Sequence, residues 1–440
     1  MTQPTTNPSR LFVASCLALL VTSLTFAIRA KIEGVFGTDY GLTGEEIGRA
    51  FGPAFWGFTV AMFAGGLLID IVKTKSLIWA AFGMHLIGLT LLLFAKDYTM
   101  LFVSNIFIGL GNGSVEAACN PLIATIYPDN KTKMLNRFHV WFPGGIVIGG
   151  ILAWVLMTNL GISWHVLTSL LFIPLAIYGY LFFGTAIPET ERVSSGVSYK
   201  DMLKNVGAPF TIIALVSFMI LAASVPSIKI DFNSSWTYII LSLVVVAIIV
   251  EGRIINKISL LFPFMLFCMF LTASTELGTN QWTNALLTGA GIDPMIILVM
   301  VTGIMAVGRS FAGPLIHRLN PPGVLLGSAA FSLLGLYMLS SVQGAALTLT
   351  SAIIFAIGIC YFWPTMLGFV AEYIPKSGAL GLSILGGAGM VATSMVLPIM
   401  GRSIDTAGPQ QTLRYVAILP AILVALFIFL NVYVRNKPKT

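Results

Sequence analysis

Long apolar runs are the feature that most restricts the fold of this 440-residue chain. A helix needs about 20 mostly apolar residues to cross the roughly 30 Å of hydrocarbon in a bilayer. We count fourteen candidate runs, and only 9% of the residues are charged, against about 25% in soluble proteins. The sequence therefore predicts an all-α membrane protein with 14 spans. The runs begin near Leu11, Ala50, Ser76, Leu101, Leu135, His165, Pro209, Trp236, Ser259, Met295, Gly323, Ala345, Ala379 and Leu413.

The two halves of the chain share a sequence pattern that recurs 247 positions apart. Residues 66–70 (GLLID) correspond to 313–317 (GPLIH), and residues 126–128 (IYP) correspond to 373–375 (YIP). These segments lie at the ends of apolar runs. A membrane protein made of two related bundles commonly binds its substrate between them. The repeat therefore favours a transporter.

This repeat divides the chain into three parts. Residues 1–187 are predicted to form an N-terminal six-helix bundle, and residues 258–440 a C-terminal six-helix bundle. Residues 188–257 are a polar cytoplasmic linker followed by two short apolar runs without repeat partners. We interpret those runs as an inserted two-helix hairpin, with amphipathic helices at the membrane interface as the alternative. Within the linker, residues 198–203 are predicted to form a surface helix.

Lysine and arginine set the expected orientation, since cytoplasmic loops collect these residues. With a cytoplasmic N-terminus, sixteen of the 24 fall on the inner side. Both termini are therefore predicted to be cytoplasmic, in the plasma (inner) membrane. The net charge of +7 follows from the same asymmetry, so no nucleic-acid partner is needed to explain it. We expect a monomer in the lipid bilayer.

Several chemistries lose support because their motifs are missing from the sequence. There is no Gly-Lys dipeptide, which excludes a Walker A loop, and no His-Glu-x-x-His or Gly-x-Ser-x-Gly motif. The four cysteines lie inside apolar runs without metal-ligand spacing. The chain is therefore not expected to be an enzyme or to hold a metal or a cofactor.

The loop after the second run has the order Gly-x-Leu-x-Asp-x-x-Lys-x-Lys, ending in Asp70, Lys73 and Lys75. It resembles the signature loop of the major facilitator superfamily, which implies two six-helix bundles and a latch on the cytoplasmic side. The alternative is that the lysines only follow the positive-inside bias. Arg318 follows the second copy of the loop, and Arg309 lies within the preceding run. We assign all five residues to gating.

A polar stripe crosses the fourth run. Glu116 lies near its middle, with Asn112 and Asn120 one helical turn to either side, so the three project from one face. Charges inside apolar runs cost at least ~2.5 kcal/mol and need a partner or a wet cavity. Hydrogen bonding between helices is one explanation of the stripe. The other is a carboxyl group that exchanges protons as its exposure changes, as a proton-coupled carrier requires.

The same region resembles the fucose permease branch of that superfamily, the fucose:proton symporters. The similarity rests on residues 109–111 (GLG), 115–121 (VEAACNP), 135–136 (LN) and 144–145 (GG). It implies that Glu116 couples sugar binding to proton uptake and that neighbouring asparagine and aromatic side chains line a central cavity. The implied substrate is a monosaccharide.

The first run departs from the fucose permease pattern, because Arg29 stands at or next to the position where that family has an aspartate. Arg29 could form an ion pair with a membrane carboxylate, bind an anionic substrate, or extend to the outer interface. Glu276 lies 247 positions further on. An ion pair between Arg29 and Glu276 across the cavity is the expectation that follows from their equivalent positions.

The remaining candidate residues carry amide, aromatic or imidazole side chains. Amides bind hydroxyls in pairs, and an indole packs on the C–H face of a pyranose. His139 could relay protons with Glu116, since the unperturbed pKa of imidazole is about 6.5; the alternative is a histidine that only packs against its neighbours. For Trp282 the alternative to substrate binding is a place in the aromatic belt at the membrane interface. The remaining substrate-binding candidates are Asn280, Gln281, Trp282, Trp141, Tyr361 and Trp363.

The sequence thus predicts a secondary active transporter that moves a small polar solute, with a monosaccharide as the favoured class, by proton symport with alternating access. A facilitative or sodium-coupled carrier of an anionic solute is the alternative within this class. A non-transporting membrane sensor or scaffold is the alternative outside it.

Overall fold

The computed structural model describes residues 7–42, 44–207, 260–282, 286–287 and 294–435, with isolated positions between 208 and 259. Within these residues the chain is helical and contains no β-strand. The apolar runs predicted at 209–223 and 236–250 lie outside the described residues, apart from isolated positions. The all-helical prediction is therefore confirmed, while the number of fourteen spans stays a prediction.

The N-terminal group of helices is followed by two short linker helices. Its members are α1 (Pro8–Tyr40), α2 (Gly44–Phe51), α3 (Pro53–Val72), α4 (Thr74–Leu93), α5 (Tyr98–Ile126), α6 (Lys131–Phe138), α7 (Trp141–Ala153), α8 (Trp164–Ser169) and α9 (Phe172–Phe182). The linker contains α10 (Glu191–Ser194) and α11 (Tyr199–Val206).

The C-terminal group follows the linker. It consists of α12 (Leu261–Ala273), α13 (Thr279–Gln281), α14 (Pro294–Ser310), α15 (Ala312–Leu339), α16 (Ala345–Ile359), α17 (Phe362–Tyr373), α18 (Gly378–Ala407) and α19 (Pro409–Val434). Short π-helical turns span Trp154–Asn159 and Ser274–Gly278, and 3₁₀ turns span Pro128–Asn130 and Pro375–Ser377.

Ten helical segments of the described residues are long and apolar enough to cross a membrane. Local signals set their ends. Asn7 caps α1 by accepting a hydrogen bond from the Arg10 amide, and Gly41 closes it with φ 69°. Asp97 caps α5 in the same way through the Met100 amide. Such caps satisfy amides that the helix itself leaves unpaired.

The 247-residue repeat is present in the backbone as well as in the sequence. Among the described residues other than glycine, only Lys73 and Asn320 have positive φ, at 70° and 57°. These positions are 247 apart. Lys73 ends α3 and Asn320 forms a kink within α15, each three residues after one copy of the GLLID-like segment. Gly161 and Gly408 form a second such pair with φ 62° and 84°. The two halves therefore use the same turns at equivalent positions.

The two groups of helices meet at two interfaces. Helix α3 packs along α18, and helices α6 and α7 pack against α17 and α14. Small residues allow the close approach in the first interface, because a Cβ on Gly66 would lie 2.5 Å from the Cβ of Ser383. The space that remains between the two interfaces is a central cavity.

Candidate functional site

The central cavity lies between the two groups of helices, and both groups contribute side chains to its lining. Four of its lining residues are ionisable and four are apolar. They are Glu116, His139 and Phe142 from the N-terminal group, and Glu276, Leu277, Arg309, Trp363 and Met390 from the C-terminal group. The structure therefore brings together Glu116, His139, Glu276 and Trp363, as the sequence predicted for a site.

Glu116 is held by a short polar chain on the N-terminal side of the cavity. Its Oε2 accepts a hydrogen bond of 2.5 Å from Nδ2 of Asn120, one turn further along α5. Because that amide nitrogen faces Glu116, Oδ1 of Asn120 is the acceptor for Nε2 of His139 at 3.1 Å. The same Nε2 lies 3.8 Å from Glu116 Oε2. Asn120 therefore bridges the carboxyl group and the imidazole.

Arg309 occupies the opposite side and is only 1% exposed. Its Nη2 donates to Oε1 of Glu276 at 3.1 Å, and its Nε donates to the carbonyl of Cys360 at 2.7 Å. Its Nη1 donates to the carbonyl of His139 at 3.1 Å, across the interface. Arg309, which was predicted to act in a gate, lies at the centre and connects both groups of helices.

The partner of Glu276 differs from the one expected. Glu276 pairs with Arg309, and the predicted pair with Arg29 does not form. Arg29 lies against phenylalanine rings, with its guanidinium carbon 4.4 Å from the ring centre of Phe55 and 5.1 Å from that of Phe26. Aromatic faces stabilise a cation in this geometry. Arg29 is absent from the lining of the central cavity.

A π-helical turn at Ser274–Gly278 contains Glu276. Such turns are rare and occur often at functional sites, because the additional residue changes the direction of the side chains that follow. Glu276 is 4% exposed, and its Oε2 has no hydrogen-bond partner among the described residues. One carboxylate oxygen is thus fixed by Arg309 while the other is unused.

Asn112, the third member of the predicted polar stripe, belongs to a separate network. Its Oδ1 lies 2.9 Å from Nε2 of His85, whose Nδ1 lies 3.2 Å from the Tyr178 hydroxyl. Its Nδ2 donates to Thr25 at 3.1 Å. Its prediction as a substrate ligand is therefore replaced by a role in joining α1, α4, α5 and α9. The alternative of interhelical hydrogen bonding holds for this residue.

Five other predicted substrate residues lie away from the central cavity. Nε1 of Trp282 donates to the carbonyl of Leu397 at 3.0 Å, the Tyr361 hydroxyl donates to the carbonyl of Gly308 at 2.9 Å, and Gln281 is exposed. Asn280 borders a different cavity within the C-terminal group. Trp141 begins α7, where its carbonyl accepts from Ser23 of α1. Sequence proximity to Glu276, Trp363 or His139 therefore does not place these residues in the lining of the central cavity.

Ionic contacts close one end of the cavity. We call this end the linker face; it is formed by residues 127–133, 184–207 and 372–378. Asp70 accepts from Arg192 Nε and from the Thr190 hydroxyl, both at 2.5 Å. Lys131 contacts both Glu191 carboxylate oxygens, at 2.7 and 2.8 Å, and the carbonyl of Ala371. These bonds connect the N-terminal group, the linker and the C-terminal group.

Among the predicted gating residues, Asp70 takes part in this closure, whereas Lys73, Lys75 and Arg318 are exposed. The partner of Asp70 is Arg192, a residue that no motif in the amino-acid pattern singles out. The predicted surface helix is present as α11, capped by Ser198. Met202 and Val206 of this helix are fully buried against the bundles, and Tyr199 donates to the carbonyl of Leu67 at 3.1 Å.

Comparison with known proteins supports this architecture. A family model described as the Major Facilitator Superfamily matches residues 11–379. The E. coli fucose:proton symporter FucP has a TM-score of 0.66 at 15% identity, with 96% of this chain and 98% of that one covered. The human organic anion transporter TETRAN has a TM-score of 0.68 at 13% identity, with 96% and 100% covered. At these identities the likeness shows the fold alone.

A curated relative is more similar in sequence over a shorter region. The chain is 27% identical over 170 residues to sugar transporter ERD6-like 6 of Arabidopsis thaliana. The match covers 38% of this chain and 33% of that protein, so it spans about a third of the relative's length.

Proposed function

This chain belongs to the Major Facilitator Superfamily, and from that premise we propose that it carries a neutral monosaccharide across the membrane together with a proton. It is a transporter and not an enzyme. Of the three similar proteins named above, two are described as sugar carriers, one of them proton-coupled, and the third as an organic anion transporter. These descriptions favour a sugar over other small polar solutes.

The observation that carries the proposal is the position of Glu116. It is 2% exposed, it lines the cavity, and its carboxyl group is joined through Asn120 to His139. A carboxyl group in such a place can bind a proton in one conformation and release it when water reaches it in another. Glu116 is the proton carrier, and His139 is the group through which the proton reaches it or leaves it.

The charges that line the cavity favour a neutral solute. Glu116 and Glu276 supply two carboxyl groups against the single guanidinium of Arg309. When Glu116 holds a proton, the remaining Glu276–Arg309 pair is neutral as a unit. A neutral solute then enters a cavity without net charge, which avoids the high free-energy cost of an uncompensated buried ion.

The anionic alternative loses its main support in this arrangement. Arg29, which motivated it, lies against Phe26 and Phe55 and outside the cavity lining. Arg309 is directed at Glu276 and at two backbone carbonyls. An anionic solute would have to compete with a carboxylate for the same guanidinium.

Alternating access accounts for the closure of one end of the cavity. The linker face is the cytoplasmic side, with both termini on it, in the inner membrane. The bonds of Asp70 with Arg192 and of Lys131 with Glu191 hold this side closed while the solute exchanges with the other side. They break when the cavity opens to the cytoplasm. The protein acts as a monomer, since one chain supplies the whole cavity.

Counterflow in proteoliposomes tests the proposal. Three pyranoses that differ in charge are compared: D-glucose, D-glucuronate and D-glucosamine, with L-fucose and D-xylose as further neutral sugars. We expect exchange of a neutral sugar, and accumulation of that sugar when the outside is made acidic. A sodium gradient at constant pH is expected to drive none.

Glu116→Gln separates exchange from coupling. The amide keeps the size and the hydrogen bond with Asn120 but carries no proton, so exchange should persist while accumulation driven by a pH gradient is lost. Asp97→Asn is the matched control, because it removes an exposed carboxylate outside the cavity and asparagine still caps α5. Unchanged accumulation in Glu116→Gln would place the coupling site elsewhere. Preferential exchange of glucuronate would replace the sugar proposal by the anionic one.

A further inference from the structure

We propose that Oε2 of Glu276 is the acceptor for a hydroxyl group of the solute, and that this bond determines which hydroxyl pattern the protein accepts. The inference rests on the proposed function and identifies the chemistry of its binding site. It concerns a carboxylate of the C-terminal group, whereas the proton is assigned to Glu116 of the N-terminal group.

The first argument is hydrogen bonding. Oε1 of Glu276 accepts from Arg309 at 3.1 Å, which fixes the carboxylate, while Oε2 is buried without a partner among the described residues. A buried carboxylate oxygen without a donor is costly. The residue lines the central cavity, so a donor that arrives with the solute removes this cost and gains affinity.

The second argument is the local backbone. Glu276 lies within the π-helical turn Ser274–Gly278, an arrangement that is rare within α-helices and is found frequently at functional sites. Packing alone would be served by an ordinary α-helix here. The turn places a charged side chain beside the apolar rings of the cavity, and this placement is useful for binding a ligand.

The third argument is the character of the neighbouring walls. Trp363, Phe142 and Met390 also line the cavity. An indole or phenyl face packs on the apolar C–H surface of a pyranose, while an acceptor at the rim binds one of its hydroxyls. The charge of Glu276 is already balanced by Arg309, so a neutral hydroxyl fits this position better than an ammonium group does.

Single-position sugar analogues test this bond. In counterflow, the hexose with the fastest exchange competes with its own monodeoxy and monodeoxyfluoro analogues. Fluorine cannot donate a hydrogen bond. At one ring position both analogues should compete roughly tenfold to a hundredfold more weakly than the parent sugar, as expected for a lost bond to a charged acceptor.

Glu276→Gln should remove this discrimination. Because Arg309 requires an acceptor, the amide oxygen should face Arg309 and the amide NH₂ should face the solute, where it offers a donor in place of an acceptor. The penalty for the analogues at that position should fall to about threefold or less, with other positions unchanged. Thr275→Val is the matched control, since the Thr275 hydroxyl only bonds the carbonyl of Leu271 within the same helix. It should keep the full penalty.

Glu276→Asp keeps the test valid if Glu276→Gln does not fold. The aspartate retains the charge opposite Arg309 but shortens the side chain. The penalty for analogues that lack the same hydroxyl should therefore fall. Full discrimination in either folded variant would overturn the inference and leave the transport proposal intact. Faster exchange of D-glucosamine than of D-glucose would overturn the hydroxyl assignment in favour of an ammonium ligand. If no sugar exchanges at all, the proposed function is wrong and the inference falls with it.

Discussion

The two interfaces between the bundles are related by the repeat, yet they differ in polarity. Between α3 and α18, the side chain of Met62 packs against Gly386. The positions 247 residues away from these two are Arg309 and His139, which meet between α14 and α7 through a hydrogen bond of 3.1 Å. One interface is thus a close apolar contact, and the other contains a buried arginine.

This difference indicates that the two interfaces differ in how easily they can separate. An apolar contact of small residues can slide or reopen without leaving a charge uncompensated. The contact of Arg309 cannot, because its separation from the His139 carbonyl exposes a buried donor that must find another partner. On the proposed function, we infer that binding of the solute and the proton changes the α7/α14 interface, where the cavity residues lie. The α3/α18 interface then adjusts to that change.

Arg309→Met should have the largest effect, because it gives the α7/α14 interface the residue that the repeat has at Met62. It leaves Glu276 as an uncompensated buried charge, with an expected loss of roughly 3–5 kcal/mol. Thermal unfolding of the purified protein measures this loss. The double variant Arg309→Met with Glu276→Gln should recover part of it. Met62→Leu, the control at the equivalent position, should change stability by less than about 1.5 kcal/mol. Equal stability of Arg309→Met and the unmodified protein would break the comparison.

The repeat-related glycines Gly66 and Gly313 provide an intermediate test. A Cβ at Gly66 would meet Ser383 at 2.5 Å and the backbone of Leu380 at 3.2 Å, whereas at Gly313 it would meet the flexible end of Lys133 at 3.0 Å. Gly66→Ala should therefore destabilise the protein by about 1–3 kcal/mol through overpacking. Gly313→Ala should cost clearly less, since Lys133 can move. Similar unfolding temperatures for the two variants would show that the interfaces are equally tight.

Thr59→Val should have the smallest effect. The Thr59 hydroxyl donates to the carbonyl of Gly387 across the α3/α18 interface, but at 3.4 Å the bond is long and weak. Its removal should shift the unfolding free energy by no more than about 0.5 kcal/mol. Thr393→Val, which removes a bond of 3.0 Å within α18, serves as the control. A large loss in Thr59→Val alone would mean that this interface also depends on a polar contact.

Helical spacing was sufficient to predict one half of the cavity. Glu116 and Asn120 are one turn apart on α5, and a charge in an apolar run has few places to lie except a cavity. Glu116 and Asn120 were identified because local periodicity decides which way they face. Trp363 was selected for a different reason, as part of the aromatic cluster before Pro364.

The other half depends on contacts between distant segments. Equivalence under the repeat placed Arg29 opposite Glu276, but equivalent residues in two related bundles need not touch. The partner of Glu276 is decided by the π-helical turn and by the position of α14, and neither is visible in the amino-acid pattern. Similarly, Asn112 faces the predicted side of α5, but His85 from α4 takes up its amide.

The linker face shows the same limit. Arg192 belongs to a short polar segment that has no motif of its own, and only the fold brings it to Asp70.

The linker that joins the two groups of helices covalently also has a kinetic consequence, because it carries Thr190, Glu191 and Arg192. In the proposed transport cycle, these side chains stay near Asp70 and Lys131 after each opening, at an effective concentration of the order of millimolar, as a short tether provides. Re-formation of the contacts is then a first-order step within one molecule, independent of the amount of protein. In that cycle the tether sets how quickly this side of the membrane closes again, and so limits the time during which ions leak through an unoccupied carrier.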